Sequence, residues 1–302
     1  SRRSRFRRGG HLMGEDGPAR ATPLTIIGGY LGAGKTTLVN HLLRAADGLR
    51  LAVLVNEFGE LPIDRDLIEE RDGNVISIAG GCVCCSYGND LVMTLQEMAA
   101  GEARFDHVLL EASGVGIPSA IAATVSLMGA YALDGVVVVA DVETIEASAR
   151  DRYMGETVIA QLAEADLVVL NKLDLVDEAA RDRVEGWIGE VASGARVVTA
   201  TRAVLPPAVV LESFLGRERG AGKAGVAAPD TFETFTPDVG EPVDPEAFAR
   251  RLIEQGYVRA KGFVVDQAGE MRAVQVVGRR FEIAPAPPGG RPGVVAIRLR
   301  IA

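Results

Sequence analysis

Along the first two hundred residues, short apolar runs alternate with segments of helical periodicity. The runs Leu24–Ile27, Leu51–Asn56, Val75–Ile78, Val108–Glu111, Val136–Ala140, Leu167–Asn171 and Val197–Thr199 are dominated by Val, Ile and Leu. Most lack the apolar–polar alternation of a half-exposed strand, so they read as strands covered by helices on both faces. Between them, Thr36–Ala46, Leu91–Ala100, Ile117–Met128, Val158–Glu164 and Ala179–Val191 repeat apolar residues at helical spacing. This order predicts an α/β fold, a doubly wound and mostly parallel sheet whose ligands sit beyond the carboxyl ends of its strands.

The texture changes after Ala203. Pro206, Pro207 and the Gly/Ala-rich Gly216–Ala228 stretch read as a linker. Beyond it the pattern predicts a strand (Thr231–Phe235), a helix (Asp244–Gln255, with Pro245 in its first turn) and strands near Val258–Val265, Met271–Val277, Arg280–Ile283 and Val294–Leu299. The expected organisation is a flexible arm over 1–21, an α/β domain over 22–205, a linker over 206–228 and a small C-terminal α+β domain over 229–302.

Composition narrows the function classes. The 302 residues are 48% hydrophobic and carry a formal charge of −9. An acidic body disfavours general binding to nucleic acid or to an anionic membrane. The stretch 112–133 is uncharged over 22 residues, but glycines, serines, Thr124 and Pro118 interrupt it, so it reads as a buried loop plus helix and no membrane span is expected. Six arginines crowd the first twenty residues, which lack the apolar core of a secretory signal. That arm reads as a tag or extension, and the chain as cytoplasmic.

Basic residues split into 28 Arg and 4 Lys, and two of the lysines fall in motifs. Gly29-Tyr-Leu-Gly32-Ala33-Gly34-Lys35-Thr36 fits G-x-x-x-x-G-K-[S/T], with an apolar strand before it and a helix opening at Thr36 and Thr37. In such a P-loop, glycines let backbone N–H groups curl round phosphate oxygens at a helix N-terminus. Lys35 would reach the β/γ-phosphates, and the Thr36 hydroxyl would ligate Mg²⁺. Further on, Asn171-Lys172-Leu173-Asp174 closes an apolar strand. There the Asp174 carboxylate can accept from both N1–H and N2–H₂ of guanine, whereas adenine would meet it lone pair to lone pair. Asn171 would orient that loop, the Lys172 stem would pack over the base, and Thr199-Ala200-Thr201 would support it with backbone N–H groups. GTP is therefore the expected nucleotide.

All three cysteines sit within four residues, as Cys82, Cys84 and Cys85. Their thiolates suit a soft or borderline ion such as Zn²⁺ with a fourth position open, as transfer of the ion requires. Buried apolar cysteines and a redox switch are the competing readings. The cluster lies between Asn56-Glu57-Phe58-Gly59-Glu60…Asp64 and Leu110-Glu111-Ala-Ser-Gly114, two segments expected near the γ-phosphate. Glu111 reads as a Mg²⁺- or water-associated acid, Gly114 as an N–H donor to the γ-phosphate, Asp64 as a second candidate to orient water, and Glu57 as a further candidate metal ligand.

The segments GGYLGAGKTTLVNHLL, VNEFGE, GGCVCCS, LLEASG, QLAEADLVVLNKLDL and RAKGF, in this order, resemble the motifs of the CobW-type P-loop GTPases, relatives of the urease and hydrogenase nickel-accessory GTPases. The resemblance implies a GTP-hydrolysing metallochaperone that delivers Zn²⁺, or cobalt, to a client metalloprotein or cofactor pathway. It assigns the cargo metal to Cys82, Cys84 and Cys85, and the nucleotide to Gly34, Lys35, Thr36, Asn171, Lys172 and Asp174. A GTP- or metal-dependent homodimer is a further expectation. The chain departs from the family in having only three dispersed histidines and in reading Gly-Val-Gly-Ile-Pro118 after the acidic strand end. A thiol-based regulatory GTPase and a P-loop small-molecule kinase are the alternatives.

Overall fold

The computed structural model describes residues 21–45, 48–56, 75–80, 89–101, 104–215, 232–239 and 242–299. Seven parallel strands form the first sheet: β1 (Thr22–Gly28), β2 (Leu51–Asn56), β3 (Val75–Gly80), β4 (His107–Glu111), β5 (Tyr131–Asp141), β6 (Leu167–Asn171) and β7 (Arg196–Thr199). Their spatial order is β3-β2-β4-β1-β5-β6-β7, which puts β1 in the centre. The helices of this unit are α1 (Lys35–Arg44), α2 (Asn89–Ala100), α3 (Pro118–Ser126), α4 (Ile145–Ala149), α5 (Gly155–Ala163) and α6 (Glu178–Val191).

Each strand side faces its own core, which explains the continuous apolar runs. Leu24, Ile26, Val108, Leu110, Val136 and Val138 pack with Leu95, Ile121, Val125, Val158, Leu162, Val184 and Ile188 of the helices on one side. Ile27, Val53, Leu109, Val137 and Val139 face the other side, with Leu38, Val39 and Leu42 of α1. Local chemistry sets the helix starts: Pro118 opens α3, and the Asp177 carboxylate caps α6 by accepting from Ala180 N. Among the described residues no helix is long and apolar enough to cross a membrane. The 112–133 stretch resolves into a turn, α3 and the first residues of β5, which begins five residues earlier than its Val-rich core suggests.

The second sheet is antiparallel, in the order β11-β10-β9-β12-β8. Its strands are β8 (Phe232–Phe235), β9 (Tyr257–Val265), β10 (Met271–Val277), β11 (Arg280–Pro285) and β12 (Gly293–Leu299). Helix α8 (Pro245–Glu254), capped by Asp244, lays Phe248, Ala249 and Leu252 on one face of this sheet. Between the sheets, Pro207–Val210 forms a short helix, α7, followed by a 3-10 turn at Glu212–Phe214. These residues begin the stretch read from sequence as a linker. The structure instead buries Ala208, Val209, Val210 and Leu211 in one core with β1, α1, Phe232, Val258 and Ile297. Two prolines signal a break in secondary structure, but the apolar run that follows them supplies the packing surface between the sheets.

Polar side chains complete that junction. Arg259 of β9, fully buried, pairs with Asp134 of β5 at 2.5 Å and donates to the carbonyls of Val209 (3.1 Å) and Val210 (2.8 Å). A β-bulge between β1 and β5, where Leu24 pairs Leu133 and Thr25 pairs Gly135, leaves Asp134 as the extra residue. Asp134 also accepts from the Thr25 hydroxyl (2.9 Å), Gln275 (3.2 Å) and Glu212 N (3.1 Å). Lys261 pairs with Glu212 at 2.5 Å, and Arg280 with Asp166 at 2.8 Å. These contacts gather at the amino-terminal halves of the strands, so the C-terminal sheet docks at the end opposite the loops that follow the strands.

Candidate nucleotide site

At the carboxyl end of β1 the chain turns through Gly29, Gly32 and Gly34, with φ of 129°, 74° and 108°. Such angles favour glycine, and Gly34 also lacks room for a side chain, because a Cβ there would lie 2.5 Å from Asn171 Nδ2. Gly34 caps α1 without a side-chain bond, so the first turn of that helix presents its N–H groups to the loop. Lys35 is buried and donates across the loop to Gly29 O (3.0 Å) and Tyr30 O (3.4 Å). Ala33 is buried; Gly32 and Thr37 are exposed at the loop rim and the first helical turn.

Thr36 and Glu111, 75 residues apart in sequence, are brought together. The Thr36 hydroxyl donates to Glu111 Oε1 at 2.8 Å, and Glu111 is 5% exposed at the end of β4. Two oxygen donors beside a phosphate loop, one of them a buried carboxylate, form a set that fits a hard cation such as Mg²⁺. The chain then crosses toward β1, where Ala112 N donates to Ile27 O, and turns through Ser113–Gly116.

The base-reading segment is built onto the phosphate loop. Asn171, buried at the end of β6, donates from Nδ2 to Ala33 O (3.0 Å) and accepts at Oδ1 from Ala203 N (2.7 Å). One amide thus clamps the P-loop to the turn after β7, where Arg202 and Ala203 both take positive φ. Lys172 also lies in the left-handed region, at φ 66°, and its ammonium pairs with Asp141 at 2.5 Å. That conformation is uncommon for a side-chain-bearing residue and is held by contacts on both sides. Asp174 is exposed in the 3-10 turn that follows. Thr199 is half-buried and pairs with Leu170. The N–H of Ala200 is used differently from the sequence expectation: it donates to Leu170 O at 2.9 Å, extending the sheet, so it does not serve a base.

Cys82, Cys84, Cys85, Glu57, Glu60 and Asp64 lie outside the described residues. Two residues of the site were not singled out from the sequence. Asp141 directly follows the apolar run Val136–Ala140, and Gln161 opens the segment QLAEADLVVLNKLDL, but only the three-dimensional contacts give either residue a role.

Residues 23–199 match the family described as "CobW/HypB/UreG, nucleotide-binding domain". The chain belongs to the CobW/HypB/UreG family. The matched span runs from β1 to the end of β7, so the CobW/HypB/UreG domain coincides with the seven-stranded unit and excludes the antiparallel sheet. Among relatives, the zinc chaperone CobW of Pseudomonas aeruginosa is 33% identical over 86% of this chain and 81% of its own length. The zinc chaperone YjiA of Escherichia coli is 34% identical over 59% of this chain and 57% of its own. The crystal structure of Zn(II)-bound YjiA GTPase from E. coli superposes with a TM-score of 0.50 at 20% identity, covering 93% of this chain and 94% of that one, which shows a common fold.

Proposed function

We propose that this chain is a GTP-hydrolysing metallochaperone that holds Zn²⁺ on the thiolates of Cys82, Cys84 and Cys85 and delivers it to a client metalloprotein or cofactor-biosynthesis protein in the reducing cytoplasm. The observation that carries the nucleotide half is the Asn171 clamp, which joins the phosphate loop and the N-K-x-D segment into one site. In this reading Asp174 accepts the guanine N1–H and N2–H₂, while Lys172, tethered by Asp141, lays its aliphatic stem along the base. Lys35 and the first turn of α1 bind the phosphates.

Thr36 and Glu111 would hold Mg²⁺, which supplies charge neutralisation of the transferring phosphoryl group. Glu111, or Asp64, orients the attacking water, and Gly114 offers its N–H to the γ-phosphate. The sequence contains no readable arginine finger or switch glutamine, so intrinsic turnover is slow. Zn²⁺ is cargo: three thiolates leave one coordination position for the client to attack. The zinc-chaperone relatives support this half of the reading.

Two measurements test it. Purified protein should bind and hydrolyse GTP in preference to ATP, and equal use of the two nucleotides would overturn the guanine reading. Cys82→Ser combined with Cys84→Ser should abolish tight binding of Zn²⁺ in a chelator competition, with Co²⁺ as the competing cargo. Unchanged affinity would overturn the thiolate site.

A further inference from the structure

The turn after Glu111 is made of small residues, Ala112-Ser113-Gly114-Val115-Gly116, which have little intrinsic rigidity. Its conformation is imposed from two sides. On the P-loop side Gly114 sits so close to Leu31 that a Cβ would lie 2.4 Å from Leu31 Cδ2 and 3.0 Å from Leu31 N. On the opposite side stands α5. Gln161, 1% exposed, donates from Nε2 to both Gly114 O (3.2 Å) and Gly116 O (2.8 Å). One turn later Glu164 accepts from Ser119 N (2.9 Å) and Ser119 Oγ (2.8 Å) in the first turn of α3. The C-terminal turn of α5 therefore grips both ends of the 114–119 segment.

These bonds determine which way the amides of the turn point. In a trans peptide the C=O and the next N–H are antiparallel. Drawing the Gly114 and Gly116 carbonyls to α5 turns the N–H groups of Val115 and Ile117 away from it. The Ser113 carbonyl is occupied within the turn by Gly116 N at 2.9 Å, which fixes the Gly114 N–H in the same manner. The Ser113 hydroxyl is buried in this turn and has no hydrogen-bond partner among the described residues. A buried hydroxyl left so costs stability, which is the pattern of a group reserved for a ligand.

We infer that Gln161 is a positioning residue for the terminal phosphate: it presets the amide array and the Ser113 hydroxyl of the 113–117 turn, and through them the discrimination of GTP from GDP. This rests on the reading of that turn as the γ-phosphate loop. Gln161 acts through the loop and touches no reacting atom. A carboxylate at 161 would set an acceptor against two carbonyl oxygens, and a methionine would keep the length while removing the donor.

The test uses the full chain with Gln161→Glu and Gln161→Met, the latter retaining an apolar filling should the charged variant fold poorly. Affinities for GDP and for a non-hydrolysable GTP analogue are measured with kcat, KM and thermal stability. The analogue should weaken roughly tenfold and kcat fall by a similar factor, while GDP affinity stays within about twofold. A structural role alone would lower both affinities together or only the melting temperature. An unchanged analogue-to-GDP ratio in both variants, with the wild type discriminating, would overturn the inference alone. A wild type that does not distinguish the analogue from GDP would overturn the γ-phosphate reading and the inference with it.

Discussion

Replacing Arg259 by Met tests how the second sheet is fastened to the first. In the native chain burial pushes the Asp134 carboxyl upward, but the Arg259 charge, His107 and the hydrogen bonds from Arg259 and Glu212 N more than offset this, and it stays below the usual carboxylate range. Arg259→Met leaves that buried carboxylate with Thr25, Gln275, Glu212 N and the nearby His107 ring as its partners among the described residues, and takes the Arg259 donors away from the Val209 and Val210 carbonyls. Removing one member of a buried pair costs about 3–5 kcal/mol. At about 2 °C per kcal/mol for a chain of this length, the melting temperature should fall by roughly 6–10 °C. Asp134→Leu alone should cost a similar amount by stranding the guanidinium. The double variant Asp134→Leu/Arg259→Met should be more stable than Arg259→Met alone, because no uncompensated charge remains. Urea or thermal unfolding of the four proteins gives the coupling energy directly. A loss below about 1 kcal/mol in Arg259→Met, or additive losses in the double variant, would refute the idea that this pair governs the junction.

Three further outcomes follow from the geometry. His107 is buried, and burial, with Arg259 and Lys261 nearby, lowers its pKa to about 4 despite the opposing pull of Asp134. Its unfolded value is near 6.5, so the folded chain declines a proton that the unfolded chain accepts between pH 6.5 and 4. Stability contributed by the neutral ring is therefore complete above pH 6.5 and falls by about 3 kcal/mol as pH drops to 4; wild type and His107→Gln, compared by urea midpoint against pH, should differ by about one proton in slope there, and equal slopes would contradict it. Gly34→Ala, which forces a methyl to 2.5 Å from Asn171 Nδ2 at a φ of 108°, should weaken nucleotide binding at least roughly tenfold in a fluorescent-GDP titration, and near-native affinity would contradict the clamp. Asp141→Asn releases Lys172 and should weaken GTP and GDP together, by roughly tenfold, without improving ATP binding; a change confined to one guanine nucleotide would contradict a base-side role.

Much of the first sheet was legible because its strands are buried on both faces, and runs such as Leu51–Val55 and Val136–Ala140 therefore carry no competing signal. The phosphate loop was legible because its glycines are demanded by backbone geometry at fixed spacing. Residues at the sheet junction were not. Thr25, His107 and Asp134 lie in segments that read as strand or loop, and their partners Glu212, Arg259 and Gln275 are 78 to 141 residues away from Asp134 or its neighbours along the chain. A bulge, which no hydrophobic pattern announces, aims Asp134 into that cluster. Gln161 was likewise indistinct, because a buried amide donating to two backbone carbonyls leaves the same sequence trace as a polar residue on a solvated helix face. Pro206 and Pro207 misdirected the reading of α7, since prolines mark where regular structure stops and say nothing about whether the following apolar residues are buried.

A metallochaperone that hydrolyses GTP to deliver Zn²⁺, as proposed, must couple nucleotide state to metal affinity, and a competitive Zn²⁺ titration of the full chain tests that coupling most directly. Measured with GDP and then with a non-hydrolysable GTP analogue, the Zn²⁺ dissociation constant should differ by at least about fivefold, and Zn²⁺ should shift the analogue-to-GDP affinity ratio by the same factor. The Cys82→Ser/Cys84→Ser protein should lose both effects while still binding guanine nucleotide. Zn²⁺ affinity identical in the two nucleotide states, or coupling that survives without the thiolates, would contradict the account.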